Sequence, residues 1–149
     1  MTSAARVMKH PLHPILVVYP IGLWTFSLVC DVVYLLHWGG EDWASAALYT
    51  LGGGIVGALL AAIPGLIDLM ALTDPTVRRI GVFHMVINLA AVAVFAVDFG
   101  VRLHRGAGEH PPILISIGGI ALIAVSGWLG GELVYVHGVA VEPRARPDV

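Results

Sequence analysis

Histidine is the residue type with the widest chemical scope in this sequence, and four of its seven copies fall at comparable places in the chain. Each of the four lies near one end of a long apolar segment: His10, His13, His84 and His137. A neutral imidazole is a ligand for haem iron, and it also binds Zn²⁺, Cu²⁺ or Fe²⁺. These four histidines are therefore candidate ligands for a haem or for a bare metal ion.

Acidic residues inside the apolar segments form a second candidate set. Each segment contains one of them: Asp31, Asp68, Asp98 and Glu132. An acid within a bilayer is costly unless it is paired, protonated or near water, so each is a functional candidate. The alternative is structural, with each acid near a helix end and bonded to neighbouring hydroxyls or amides. Two of the acids also complete a mixed nitrogen and oxygen set suited to Zn²⁺, Cu²⁺ or Fe²⁺, namely His10, His13, Asp68, His84, Glu132 and His137.

The composition indicates which solvent surrounds these residues. Of 149 residues, 58% are hydrophobic and 12% are charged, and the mean hydropathy is +0.87. A soluble domain carries about 25% charged residues, so intrinsic disorder, nucleic-acid binding and an ordinary water-soluble enzyme are all disfavoured. The sequence predicts a protein whose solvent is the lipid bilayer.

Four apolar runs, at about 14–37, 44–72, 80–101 and 111–136, are each long enough for the ~20 residues that a membrane-crossing helix needs. Turn residues separate them, including Gly39-Gly40 after the first run and Asp74-Pro75 before the third. The short connections predict antiparallel neighbours. We therefore expect an all-α, up-down four-helix bundle in the membrane, as one domain over 1–149 with helices at about 14–37, 44–72, 76–104 and 111–137.

Basic residues predict the orientation of the bundle. Arg102 and Arg105 lie at one end, whereas the other end carries Arg6, Lys9, Arg78, Arg79, Arg144 and Arg146. By the positive-inside rule, both termini are expected in the cytoplasm.

His13 and His84 are the best predicted ligand pair. His13 lies four residues after Lys9 and His84 five residues after Arg79, so both lie about 6–8 Å along the helix axis from those basic residues. The first and third helices of such a bundle are diagonal neighbours, so two imidazoles at matching depth can face each other across the core. At helical spacing, each histidine belongs to a stripe of residues on the inward face of its helix. The stripe of the first helix includes Trp24 and Asp31, and that of the third helix includes Asn88, Phe95, Asp98 and Arg102.

Small residues on the second and fourth helices would leave room for a flat cofactor or for close helix packing. They include Gly53, Gly57, Gly119, Gly127 and Gly130. Arg78 and Arg79 are predicted to neutralise haem propionates, and Asn88 is a further cofactor contact. His10 and His137 are second candidates, as alternative ligands or for a second haem.

A weak internal repeat accompanies these features. Asp31-x5-His37-x-Gly39 matches Asp98-x5-His104-x-Gly106. Two helical hairpins related by a pseudo-two-fold axis along the membrane normal would explain the match.

Several motifs also resemble a known family. His10-Pro11-Leu12-His13-Pro14 followed by Tyr19-Pro20-Ile21-Gly22-Leu23 is similar to the opening of small bacterial four-helix membrane proteins, domain-of-unknown-function family 2231. Residues 62–68, His84 with Asn88, 127–135 and 137–139 extend the resemblance over most of the chain. The resemblance implies a multi-pass protein of the bacterial inner membrane, in a family sometimes joined to Rieske or cytochrome-like redox modules. That association indicates electron transfer.

The leading functional prediction is a membrane cytochrome that binds haem b through His13 and His84. It would exchange single electrons with a quinone, superoxide or a redox protein, which would make it an oxidoreductase, and a homodimer is expected. The second prediction is a Zn²⁺, Cu²⁺ or Fe²⁺ binding protein or transporter. The third is a non-catalytic membrane scaffold whose polar residues only fix the packing.

Overall fold

Four long helices form the protein, as the hydropathy pattern predicts. The computed structural model describes residues 3–8, 10–106 and 109–141. A short hairpin of β1 (Arg6–Val7) and β2 (His10–Pro11) leads into the first span, in which α1 (Leu12–Leu16) is followed by α2 (Val18–Leu35). The other three spans are α3 (Glu41–Met70), α4 (Pro75–Arg105), and α5 (Ile113–Gly131) with a π-helical turn (Glu132–Val136) at its end.

Local chemistry fixes where the helices begin and end. The Asp74 side chain accepts hydrogen bonds from the main-chain N–H groups of Thr76 (2.8 Å) and Val77 (3.1 Å). Pro75 occupies the first turn of α4, where its missing N–H costs nothing. At the other end of α4, Gly106 has a φ of +95°, a value that favours glycine. The predicted Asp74-Pro75 start and Gly106 end of this helix are thus both explained.

The helices form a square in which the first span and α4 lie on one diagonal. α2 packs mainly on α3, and α4 packs mainly on α5. The rings of Trp24 and Phe95 stack across the diagonal with centroids 4.1 Å apart. Together with Leu51 they form the central core cluster. The inward stripes predicted for the first and third helices therefore do face each other.

Most of the apolar surface faces outward. Only 17–28% of the most apolar part of each span is buried inside the bundle, although all four spans are long and apolar enough to cross a membrane. Aromatic side chains are exposed towards both ends, with Trp38 at one end and Trp128 and Tyr135 at the other. The outer surface therefore suits lipid.

The N-terminal segment is anchored to the end of α3. The Asp68 carboxylate accepts hydrogen bonds from Ser3 Oγ (2.7 Å) and from the main-chain N–H groups of Ala4 (2.8 Å) and Ala5 (3.0 Å). We call this end of the bundle the His13 end and the opposite one the Arg102 end. For Asp68, the structural alternative considered above is the one observed.

Candidate functional site

The structure brings His13 of α1 and His84 of α4 into ring contact near the His13 end. Their centroids are 6.1 Å apart, and the two ring planes are inclined by 87°. Both side chains are partly buried. The matching depth and the diagonal placement inferred from the sequence therefore produce a direct juxtaposition of two imidazoles.

Each imidazole is held by a main-chain carbonyl of the neighbouring helix. His13 Nδ1 lies 2.8 Å from the Ala61 oxygen, and His84 Nδ1 lies 2.9 Å from the Ser126 oxygen. A carbonyl can only accept, so each Nδ1 carries the hydrogen and each Nε2 of the neutral ring keeps its lone pair. Asn88 Nδ2 lies 3.1 Å from His84 Nε2 and can donate to that lone pair.

Glycines make room for both rings. A Cβ at Gly65 would lie 2.7 Å from His13 Nδ1, and a Cβ at Gly130 would lie 3.3 Å from His84 Cε1. Gly130 also lines an open groove of about 420 Å³, which Pro14 borders from α1. Sequence reasoning found Gly130 but missed Gly65, which lies one position after Pro64 on α3.

These contacts reveal a pseudo-two-fold axis between two hairpins. His13 bonds to Ala61 and packs on Gly65, while His84 bonds to Ser126 and packs on Gly130. The same relation holds deeper in the core, where an added Cβ would meet Trp24 at Gly54 and Phe95 at Gly119.

Corresponding positions are 71 residues apart on the first and third spans (13 and 84, 24 and 95). They are 65 residues apart on the second and fourth (61 and 126). The predicted repeat therefore exists, but its register was wrong by one helical turn. Asp31 corresponds to Arg102 and not to Asp98.

The remaining predicted site residues lie apart from this pair. His10 is exposed, with Nδ1 2.9 Å from the Met8 oxygen, and His137 Nε2 is 3.9 Å from Glu132. Arg78 and Arg79 are exposed in the first turns of α4, and the Arg79 guanidinium lies 5.7 Å from the centroid of the Phe83 ring.

The predicted mixed metal-ligand set is not assembled. Within the described ranges, no three or more His, Cys, Asp or Glu side chains are grouped so that they could hold a metal ion. Asp68 instead binds the N-terminal segment. A bare-ion site built from the six predicted ligands is therefore not supported by the arrangement of the helices.

A second polar cluster lies in the core near the Arg102 end. We call it the Arg102 network, and its members are Asp31 on α2, Asp98 and Arg102 on α4, and Ser116 on α5. Both acids are 0% exposed and Arg102 is 7% exposed. Sequence reasoning counted Arg102 among the basic residues that mark orientation and also placed it on the inward stripe of the third helix, and its buried side chain agrees with the inward placement.

Arg102 joins the two hairpins through this network. Its Nη1 and Nη2 donate to the two oxygens of Asp31 at 2.6 and 2.7 Å, and its Nε donates to Asp98 at 2.7 Å. Nη2 also donates to Ser116 Oγ at 3.0 Å. The spacing of Asp98 and Arg102, four residues on one helix, was the sequence signal for part of this pairing. Nothing local in the sequence indicated Ser116.

The chain matches a model of a known protein family. A family model described as "Predicted membrane protein (DUF2231)" matches residues 9–143. The chain belongs to this family. No curated protein matches the chain. No solved structure matches it either.

The DUF2231 motifs quoted above lie largely at the His13 end. The opening motif supplies β2 and α1 with His13, and residues 127–135 supply the end of α5 with Gly130 and the π-helical turn. Family membership confirms a membrane protein and leaves its chemistry to be argued from these residues.

Proposed function

We propose that the protein is a membrane cytochrome that binds haem b between His13 and His84 and transfers single electrons. The observation that carries the proposal is the pair of facing imidazoles, each tied through Nδ1 to a carbonyl at an equivalent position of its own hairpin. Low-spin haem iron takes two axial nitrogens, and facing helices of a bundle core supply them readily.

The placement of the two rings is compatible with a shared ligand. Their centroids are 6.1 Å apart, and each Nε2 keeps the lone pair with which an imidazole binds a metal. The carbonyl bonds to Nδ1 also match the outer-shell contact that fixes the tautomer of a ligating histidine and raises its basicity.

The surroundings of the pair offer space and a suitable charge. Gly65 and Gly130 present no side chain to the rings, and the groove beside Gly130 is open. Asn88 would release His84 Nε2 to the iron and keep its second hydrogen bond, to the His84 carbonyl at 2.9 Å. Arg79 begins about 7.5 Å from His84 along the helix axis, within reach of propionates at the same end.

Haem bound at this position would supply a one-electron couple inside the bilayer. The exposed apolar faces admit a lipid-soluble partner such as a quinone, and the exposed Arg78 and Arg79 suit an acidic redox protein or superoxide. The homodimer, the bacterial inner membrane and the cytoplasmic placement of both termini stay predictions.

Absorption spectroscopy of the detergent-solubilised protein, expressed with haem available, tests the proposal. We expect a Soret band and sharp α and β bands after reduction with dithionite. His13→Ala and His84→Ala should each abolish the low-spin spectrum, whereas His10→Ala and His137→Ala should preserve it. Because the ring planes are inclined by 87°, the oxidised protein should give a strongly anisotropic low-spin EPR signal and not the rhombic signal of parallel planes.

Two results would overturn the assignment. A colourless, folded preparation that takes up no haem on reconstitution rejects haem binding, and metal analysis then separates a zinc or copper protein from a metal-free scaffold. A full low-spin spectrum in both His13→Ala and His84→Ala shows that other residues are the ligands.

A further inference from the structure

The Arg102 network carries an unbalanced charge. Asp31 and Asp98 contribute two carboxylates, and Arg102 is the one cation that the described part of the chain places within ion-pairing distance of them. All lie within spans long enough to cross a membrane. An ionised carboxylate in an apolar region needs a counter-charge or a proton, so one proton is required to make the network neutral.

The groups that face the network from neighbouring elements do not supply the missing charge. α2 adds the buried thiol of Cys30 beside Asp31, and the nearby part of α3 presents Ala44 and Leu48. Arg105 of α4 is exposed, as are the two titratable residues of the following loop, Glu109 and His110. Water at this end of the bundle can screen these exposed charges, whereas it does not reach Asp31 or Asp98.

Ser116 is placed so that the network can hold this proton or release it. Its Oγ lies 2.6 Å from Asp98 Oδ2 and 3.4 Å from Asp31 Oδ2. A hydroxyl has one hydrogen to donate and two lone pairs that accept. Without the extra proton, Ser116 donates to Asp98 and accepts from Arg102.

With the proton on Asp98 Oδ2, the directions of two hydrogen bonds change. The Asp98 carboxyl donates to Ser116 Oγ, and the Ser116 hydroxyl turns to donate to Asp31 Oδ2. Oγ then uses both lone pairs, one for Asp98 and one for Nη2 of Arg102, which stays 3.0 Å away. The two arrangements use the same four side chains and differ in the directions of two hydrogen bonds, the longer of which joins Ser116 Oγ and Asp31 Oδ2 over 3.4 Å.

A small cavity borders the network at Arg102. It has a volume of about 20 Å³ and is lined by Arg102 together with Arg105, Glu109 and His110. A volume of about 10–15 Å³ is enough for one water molecule. A water here would touch the buried guanidinium on one side and titratable groups of the exposed loop on the other.

We propose that the Arg102 network is a proton-binding site, in which Asp98, Ser116 and Asp31 take up one proton from the water at the Arg102 end of the bundle. The proton adds to Asp98 Oδ2 on uptake and leaves from the same atom on release, and no electron or bond between heavy atoms is exchanged. This site is independent of the proposed haem, which would lie at the opposite end.

Infrared difference spectroscopy of the full chain in detergent tests the proposal. At and above neutral pH, where exposed carboxyls are ionised, the wild-type protein should show the C=O band of one protonated carboxylic acid, which shifts in D₂O and disappears reversibly in alkali. Asp98→Asn and Asp31→Asn should each remove the band, because a single carboxylate then balances Arg102. Ser116→Ala should keep the band and shift its frequency, because the carboxyl loses its hydrogen-bond partner.

Asp68→Asn is the matched control, because the Asp68 carboxylate binds the N-terminal segment at the opposite end of the bundle. It should leave the band unchanged. If the wild-type protein shows no such band at any pH at which it stays folded, the network binds no proton. A band that survives in both Asp31→Asn and Asp98→Asn belongs to another acid and also overturns the proposal. The wild-type titration decides the matter even if a variant does not fold.

Discussion

Removing the guanidinium of the Arg102 network is expected to cost a large part of the stability of the protein. Arg102→Met keeps much of the apolar stem and deletes four hydrogen bonds, two to Asp31 and one each to Asp98 and Ser116. If each bond contributed only the average of side-chain hydrogen bonds between membrane helices, about 0.6 kcal/mol, the loss would be roughly 2 kcal/mol.

The expected loss is larger because a buried carboxylate stays behind without its counter-charge. Asp31 and Asp98 are 0% exposed, and breaking a buried ion pair by removing one partner costs about 3–5 kcal/mol. We therefore expect Arg102→Met to lower the free energy of unfolding by about 3–5 kcal/mol. Equilibrium unfolding in mixed micelles, followed by circular dichroism, measures this difference.

Two further variants separate charge from packing. Arg105→Met removes an exposed arginine one turn along the same helix and should change the stability by less than about 0.5 kcal/mol. Replacing both acids as well, in the triple variant with Asp31→Asn and Asp98→Asn, should recover most of the loss because no buried charge remains. The reasoning is wrong if Arg102→Met is as mild as Arg105→Met, or if the triple variant is no more stable than Arg102→Met.

Two other predictions rest on single contacts. Gly54→Ala puts a Cβ into the indole of Trp24 and should lower the free energy of unfolding by about 1–3 kcal/mol in the same assay. The control Gly118→Ala meets nothing within 4 Å, so it should be neutral or stabilising by up to about 1 kcal/mol. Equal effects of the two variants would contradict the role of Gly54. Asp68→Ala removes the acceptor of three hydrogen bonds, so residues 3–5 should lose amide-exchange protection, and unchanged protection would show that other contacts hold the segment.

The fold was predictable because the patterns that specify it are local in the sequence, and the apolar runs extend over many residues. Apolar runs identify the spans, and Asp74-Pro75 and Gly106 mark the ends of α4. The level of His13 and His84 followed from counting residues along each helix, since the rise per residue is fixed. Rotation about the helix axis is harder to infer, because neighbouring residues point about 100° apart. The small residues inferred for the second helix, Gly53 and Gly57, therefore did not include Gly65, where the absence of a side chain makes room for His13.

The inward stripes contained Asp31, Asp98 and Arg102, but the bonds that join them into the Arg102 network could not be read from the sequence because its parts come from three helices. Asp31 meets Arg102 only once the two hairpins pack, and Ser116 meets it only once α5 folds back along α4. The similarity of Asp31 and Asp98 also suggested that these residues occupy equivalent positions. The contacts instead relate Asp31 to Arg102, so the two hairpins keep the same geometry at positions where their residue types differ.

Asp31 and Arg102 can differ because both hairpins belong to one chain. Two identical hairpins that associate as a symmetric dimer bring identical residues to their common axis, so an acid there can meet only the same acid. Joining the hairpins covalently frees one copy to become the base, as at Asp31 and Arg102. At the other end the axis still relates two histidines. One polypeptide thus combines a symmetric pair of potential ligands with an ion pair between equivalent positions, where two identical hairpins would carry the same residue.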